Sequence, residues 1–261
     1  MSRSSWAVVT GASGGIGLEL ARNLAAEGHP LVLVARGREK LETLAAEVKR
    51  DHGVDALVIA TDLSEPEAAD RIVTRLREAN ITPQVLVNNA GFGLYGLHAE
   101  ADLAEEQAML NLNVTTLTRL TKLLLPGMLA ARSGRILNVA STAAFQPGPY
   151  MAVYYATKAY VLSYSEALAQ ELAGTGVSVT ALCPGPTASG FQDKAAMHDS
   201  ALVKDRRLPS AKDVADYAVK AMNRGQRVAI HGAMNWLLAQ SIRATPRRVV
   251  TWLVAKMSRP V

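Results

Sequence analysis

Seven short runs of β-branched and aliphatic residues, separated by helix-length stretches, constrain this chain more than any other feature. The runs are Trp6–Thr10, Leu31–Ala35, Ala56–Ala60, Val85–Val87, Arg135–Ala140, Val177–Leu182 and Arg227–Ile230. Each is too short to be a helix and apolar enough to be buried on both faces. Amphipathic stretches lie between them, at about Glu39–His52, Pro66–Ala79 and Leu103–Met128, and a helix carrying Tyr154 and Lys158 follows the Gly- and Pro-rich loop Thr142–Tyr150 and extends to about Ala173. Strand and helix alternating at such intervals predict an α/β fold with a doubly wound parallel sheet, whose ligands sit outside the carboxyl ends of the strands. No repeat, low-complexity stretch or linker interrupts the pattern, so residues 1–261 read as a single domain.

The strand ends carry the chemistry. Gly11-Ala12-Ser13-Gly14-Gly15-Ile16-Gly17 joins the first strand to the first helix. Glycines there let the backbone approach a pyrophosphate, and a helix N-terminus offers free N–H groups and a positive dipole end. The second strand ends in Ala35-Arg36-Gly37-Arg38. A carboxylate at that place would hold a ribose 2′-hydroxyl; an arginine pairs instead with a 2′-phosphate, which favours NADP(H) over NAD(H). Asp62, after the third strand, can accept from an adenine amino group or cap the turn into the next helix. The fourth strand runs into Asn88-Asn89-Ala90-Gly91. Asn113 stands inside a helical stretch where asparagine is mildly unfavourable, which suggests a local task or a polar face.

Tyr154 and Lys158 are four residues apart, so one helix face presents both. A neighbouring cation is expected to lower the phenol from its ordinary value near 10 and to prepare it for proton exchange with a carbonyl or alcohol. Ser141 ends the fifth strand, thirteen positions earlier.

In order and spacing these motifs resemble the short-chain dehydrogenase/reductase family, single-domain Rossmann type, over about residues 6–230. The resemblance rests on residues 10–17, Asn88-Asn89-Ala90-Gly91, Asn113, Ser141, Tyr154, Lys158 and Pro184-Gly185. It implies hydride transfer between a nicotinamide and a carbonyl or alcohol. Tyr154 would be the general acid or base, and Lys158 would lower its pKa and hold the ribose hydroxyls. Ser141 would bind the substrate oxygen, and Asn113 would anchor a water leading from Lys158 to solvent. Gly11, Ser13, Gly15, Ile16, Gly17, Arg36, Asp62, Leu63, Asn89, Ala90, Gly91, Pro184, Gly185 and Thr187 would line the cofactor, with Tyr154 and Lys158. No metal is expected. The family's usual assembly implies a homodimer or homotetramer. One departure is Ala140-Ser141, where many members carry two serines; the retained serine stands at the family's position.

Residues 188–209 have weak periodicity and read as a lid over the cleft. Phe92, Leu94, Tyr95, Phe145, Gln146, Tyr150 and Phe191 are pocket candidates, which favours an apolar ketone or aldehyde. The net charge of +5 is unevenly distributed. After Asp216 there are 8 basic residues and no acidic one, leaving 20 basic against 23 acidic residues in the rest, a net of −3. That argues against nucleic acid as a partner and marks residues 232–261 as a basic helical extension. Met234, Leu237, Leu238 and Ile242, and then Val249, Trp252, Leu253 and Met257, follow helical spacing. Such helices pack on the domain or another subunit, or lie on an anionic membrane. One cysteine, no leader and no membrane span in the sequence imply a cytoplasmic protein. A nucleotide sensor without turnover and a membrane-surface scaffold are the alternatives. Loss of Tyr154, Lys158 or Ser141 would mark the first, and none is lost.

Overall fold

The computed structural model describes residues 5–190 and 208–259. Seven strands, β1 (Ala7–Thr10), β2 (Leu31–Ala35), β3 (Ala56–Ala60), β4 (Val85–Asn88), β5 (Gly134–Val139), β6 (Val177–Cys183) and β7 (Val228–Ile230), form one sheet in the order β3-β2-β1-β4-β5-β6-β7. Every pairing is parallel, with registers such as Val8↔Val32, Val8↔Leu86 and Leu137↔Thr180.

Alternating side chains along each strand supply two separate cores. On one face Val9, Leu33, Val87 and Leu137 pack against α1 (Gly15–Ala26), α2 (Arg38–His52) and α7 (Ala211–Asn223) through Leu20, Leu41 and Val214. On the other, Val8, Val32, Leu86 and Ile136 meet α3 (Ala68–Glu78), α5 (Leu117–Ala130) and α6 (Ala152–Glu171) through Ile72, Leu120 and Leu168. Burial on both faces is why the strands read as unbroken apolar runs. The chain winds one way from β1 to β3 and the other way from β4 to β7, so the reversal falls between β1 and β4.

The stretch expected as one helix over 103–128 is divided. α4 (Leu103–Leu110) leads into a π-helical segment, Asn111–Thr116, before α5. The wider turn places Asn113 and Thr116 inside, where Thr116 donates to the Leu63 carbonyl at 2.8 Å. Elsewhere element ends move by one or two residues. Most of the segment read as a lid, 191–207, lies outside the described residues; Ala188 and Ser210 flank it and pair in a parallel bridge. Ser210 opens α7 with a full capping box to Asp213. The extension forms α8 (Ala233–Ser241) and α9 (Arg247–Ser258). Among the described residues no helix is long and apolar enough to cross a membrane.

A polar network ties the middle of the sheet to its helices. Asn88 donates to the Thr121 hydroxyl and to the side-chain amide oxygen of Asn138, both at 2.9 Å, and the Asn138 amide donates to Ser165 at 2.9 Å. All four residues are buried. Replacing Asn138 by Ala strands the partners it served, so Asn138→Ala should lower unfolding free energy by about 2–4 kcal/mol in urea titrations. A loss below about 0.5 kcal/mol would show that the network is not structural.

Candidate active site

The cleft begins as a knot between the ends of β1 and β4. The Thr10 hydroxyl donates to the Val87 carbonyl at 3.1 Å and accepts from the N–H groups of Asn89 and Ala90 at 3.0 and 3.1 Å. The Asn89 amide donates to the Thr10 carbonyl at 2.9 Å. Gly11 then turns with φ +69°, and a Cβ on Gly17 would collide with the Gly11 carbonyl and the Asn89 amide. The glycines therefore keep backbone, not side chain, along this wall. The first turn of α1 has no acidic residue and no side-chain cap at Gly14, so its N–H groups remain free for an anion.

From that knot a cleft of about 1250 Å³ runs across the strand ends. Gly11, Ser13, Gly15, Ile16, Arg36, Asp62, Leu63, Asn89, Ala90, Gly91, Ser141, Tyr154, Lys158, Pro184, Gly185 and Thr187 all line it. Gly17 and Asn113 stand behind the lining. Gly17 keeps the helix close to the first turn, while Asn113 acts from the π turn. Its amide donates to the Phe92 carbonyl at 2.9 Å and to Thr157 at 3.1 Å, and its oxygen accepts from the Phe92 N–H at 3.2 Å. Both ends of the side chain are thus held by protein, the oxygen keeping a second acceptor position.

At the β2 end, Arg36 is largely exposed, with its guanidinium 3.8 Å from Asp62. Asp62 caps its turn, accepting from the Ser64 N–H at 2.9 Å and hydroxyl at 2.7 Å. Burial alone would raise this carboxyl; the two Ser64 bonds, with Arg36 and Arg71, outweigh it and hold the group below the ordinary carboxylate value. Lys40, one helical turn beyond Gly37 on α2, joins the same end of the cleft. Sequence reading overlooked it because a lysine on a charged helix has no distinguishing pattern.

At the other end, Tyr154 and Lys158 share one face of α6, and both are buried. The Ser141 side chain accepts from the Ala143 N–H at 3.1 Å, donates to the Pro184 carbonyl at 3.4 Å and hydrogen-bonds Tyr154. Lys158 donates to the Val139 carbonyl at 2.7 Å, and its nitrogen is 5.7 Å from the centre of the Tyr154 ring. A lowered phenol is not what this arrangement gives. Burial raises the Tyr154 pKa and exceeds the opposing effect of the Ser141 bond. Burial also lowers Lys158 to about 8. The expectation weighed the charge of the lysine and left out the desolvation of both groups. Thr187 donates to the Gly185 carbonyl at 2.9 Å.

Of the pocket candidates, Phe92, Leu94 and Gln146 line the cleft. Tyr95 and Tyr150 pack on each other outside it, and Phe145 belongs to an internal cluster with Leu117 and Ala140. Phe191 lies outside the described residues. The missing wall comes from the C-terminal helices: Leu238, Ile242, Val250, Leu253, Val254 and Met257 close the substrate end. The helical spacing seen in the sequence includes Leu238, Ile242, Leu253 and Met257 but not Val250 and Val254, which form the buried side of α9.

A charged Lys158 in this setting costs stability. Below pH 8 the ammonium is present in folded and unfolded chains alike, and the folded chain bears the full desolvation. Between pH 8 and 10.5 the unfolded chain binds more protons, so stability rises with pH on account of this group. Lys158→Met should therefore raise the thermal midpoint at pH 7 by about 2–6 °C without added nucleotide, with the gap to wild type closing toward pH 10. Scanning calorimetry across pH checks this; a lower midpoint at pH 7, or a gap independent of pH, would contradict it.

The short chain dehydrogenase family matches residues 5–199 of this chain. A ketoacyl reductase, HetN, from Nostoc sp. is 38% identical over 68% of this chain and 62% of its own length. The 17-beta-hydroxysteroid dehydrogenase type 3 of Mus musculus is 35% identical over 70% of this chain and 60% of its own. The chain thus aligns with less than two thirds of these curated relatives. Among solved structures, a short-chain dehydrogenase from Sphingobium yanoikuyae in complex with NADPH superimposes with a TM-score of 0.81. It is 32% identical, covering 92% of this chain and 94% of that one. L-sorbose reductase from Gluconobacter frateurii, complexed with NADPH and L-sorbose, gives 0.77 at 31% identity over 87% and 94%. With the sheet order, the strand-end motifs and a match over most of its length, the chain belongs to the short-chain dehydrogenase family.

Proposed function

We propose that this chain is an NADP(H)-dependent oxidoreductase that interconverts an apolar ketone or aldehyde and its alcohol. The observation that carries the reading is one cleft with backbone-lined glycines at one end and Ser141, Tyr154 and Lys158 at the other. The fit to a dinucleotide rests on the chain itself: Gly11 and Gly17 leave no room for a Cβ, and the α1 N-terminus carries no competing carboxylate. Gly11, Ser13, Gly15 and Ile16 would hold the pyrophosphate, Asn89, Ala90 and Gly91 the adjoining sugar, and Pro184, Gly185 and Thr187 the nicotinamide. The bound cofactor supplies or accepts the hydride.

The residues do the rest. The Ser141 hydroxyl donates to the substrate oxygen and stabilises charge as it develops there. Tyr154 gives its phenolic proton to that oxygen in reduction and takes it back in oxidation. A phenol raised by burial keeps its proton until substrate charge draws it off. Lys158, released from the Val139 carbonyl, would bind ribose hydroxyls and offset the phenolate left on Tyr154. The strand ends and the C-terminal helices line the site from opposite sides and hold the reacting groups together.

Arg36 and Lys40 support NADP(H): two cations line the cleft beyond β2, although the Asp62 carboxylate lies 3.8 Å from Arg36. The NADPH complexes of the Sphingobium and Gluconobacter proteins point the same way. The aliphatic wall at the substrate end supports an apolar carbonyl compound.

Tyr154→Phe should reduce turnover at least about 10³-fold. NADPH affinity, followed by fluorescence titration, should stay within about twofold because the ring remains. Turnover near the wild-type rate would exclude Tyr154 as the acid. Arg36→Ala should weaken NADPH about tenfold, near 1.4 kcal/mol, with little change for NADH. An equal loss for both nucleotides would remove the 2′-phosphate from Arg36.

A further inference from the structure

Among the described residues, the C-terminal helices keep one face exposed. α9 is fixed to the domain by Val250 and Val254, and by the Tyr95 hydroxyl, which donates to the Ser258 carbonyl at 2.5 Å. α8 is held by Ala239. Their outward sides are apolar: Trp236 is 54% exposed, Leu237 55% and Trp252 62%. Of the thirteen exposed large hydrophobic residues among the described ones, eight fall between Met234 and Met257. Leu238, Leu253 and Met257 are exposed and also line the cleft, so the apolar face continues into the substrate end. An exposed apolar concentration of this kind marks an interaction site.

Charge selects the occupant. Arg243, Arg247, Arg248, Lys256 and Arg259 are all exposed on or beside these helices, and no acidic residue follows Asp216. Lys256 lies 5.7 Å from the Trp252 ring centre, its cation above the aromatic face. A second copy meeting this face about a two-fold axis would present the same patch, cation against cation, with no carboxylate from the stretch to offset them. An anionic bilayer supplies the opposite charge and an apolar layer at the depth tryptophan side chains prefer. We propose that α8 and α9 form a docking face for anionic lipid membranes, which sets the substrate end of the cleft against the bilayer. Packing on the domain and contact with a membrane are then functions of opposite sides of the same helices.

The test uses the full chain and vesicles of phosphatidylcholine with or without phosphatidylglycerol. Co-sedimentation should be at least about tenfold stronger with the anionic lipid, should weaken with salt, and should shift tryptophan emission to the blue. Trp236→Ala with Trp252→Ala, and separately Arg247→Glu with Arg248→Glu, should each reduce binding at least about tenfold with an unchanged thermal midpoint. Two pairs are used so that a folding failure in one leaves the other decisive. Equal binding to both vesicle types, no binding, or wild-type binding by both folded variants would overturn the proposal. So would a dimer in sedimentation equilibrium that the tryptophan pair dissolves, which would assign the face to a second copy. The binding readout is independent of turnover and holds or fails apart from the proposed reaction.

Discussion

Parallel strands all end on the same edge of a sheet. When both faces are covered by helices, that edge is where polar side chains and free backbone groups can collect without being buried unpaired. Here the ends of β1, β2, β3, β4, β5 and β6 contribute Gly11, Arg36, Asp62, Asn89, Ser141 and Pro184 to one cleft. The Thr10 hydroxyl fastens the two central strand ends where the winding reverses, with three hydrogen bonds from one oxygen. Moving that junction would displace both the glycine turn and Asn89, and with them one whole end of the cleft.

The opposite end carries stored electrostatic cost. Lys158 and Tyr154 are each pushed toward their neutral forms by burial. A lysine lowered to about 8 and a phenol that retains its proton stand side by side, and in the proposed reaction their charges would shift as the substrate oxygen becomes negative. The same burial that destabilises the resting chain strengthens the hydrogen bonds made by these buried groups. Such a trade of stability for activity is a usual property of reactive sites.

Much of this was legible in the sequence because strands buried on both faces read as short apolar runs and their ends are punctuated by Gly, Asn and Pro. What escaped has physical reasons. The π turn at Asn111–Thr116 follows from one extra residue in a helical turn and leaves no periodic trace. Tyr95 and Phe145 have the composition of pocket residues but pack elsewhere, since aromatic character says nothing of direction. The wall from Leu238 to Met257 needed the tertiary placement of α8 and α9, which amphipathic spacing alone leaves open. The raised phenol needed burial, which a motif does not contain.

Hydride transfer is the claim on which the functional account depends, and isotope transfer tests it most directly. NADPH carrying deuterium on the transferable C4 position would be incubated with the full chain and a set of apolar ketones and aldehydes, and the alcohols analysed by mass spectrometry. The account predicts an alcohol heavier by a single deuterium, located on the carbinol carbon. Unlabelled alcohol, or none from any carbonyl compound despite firm NADPH binding, would contradict it.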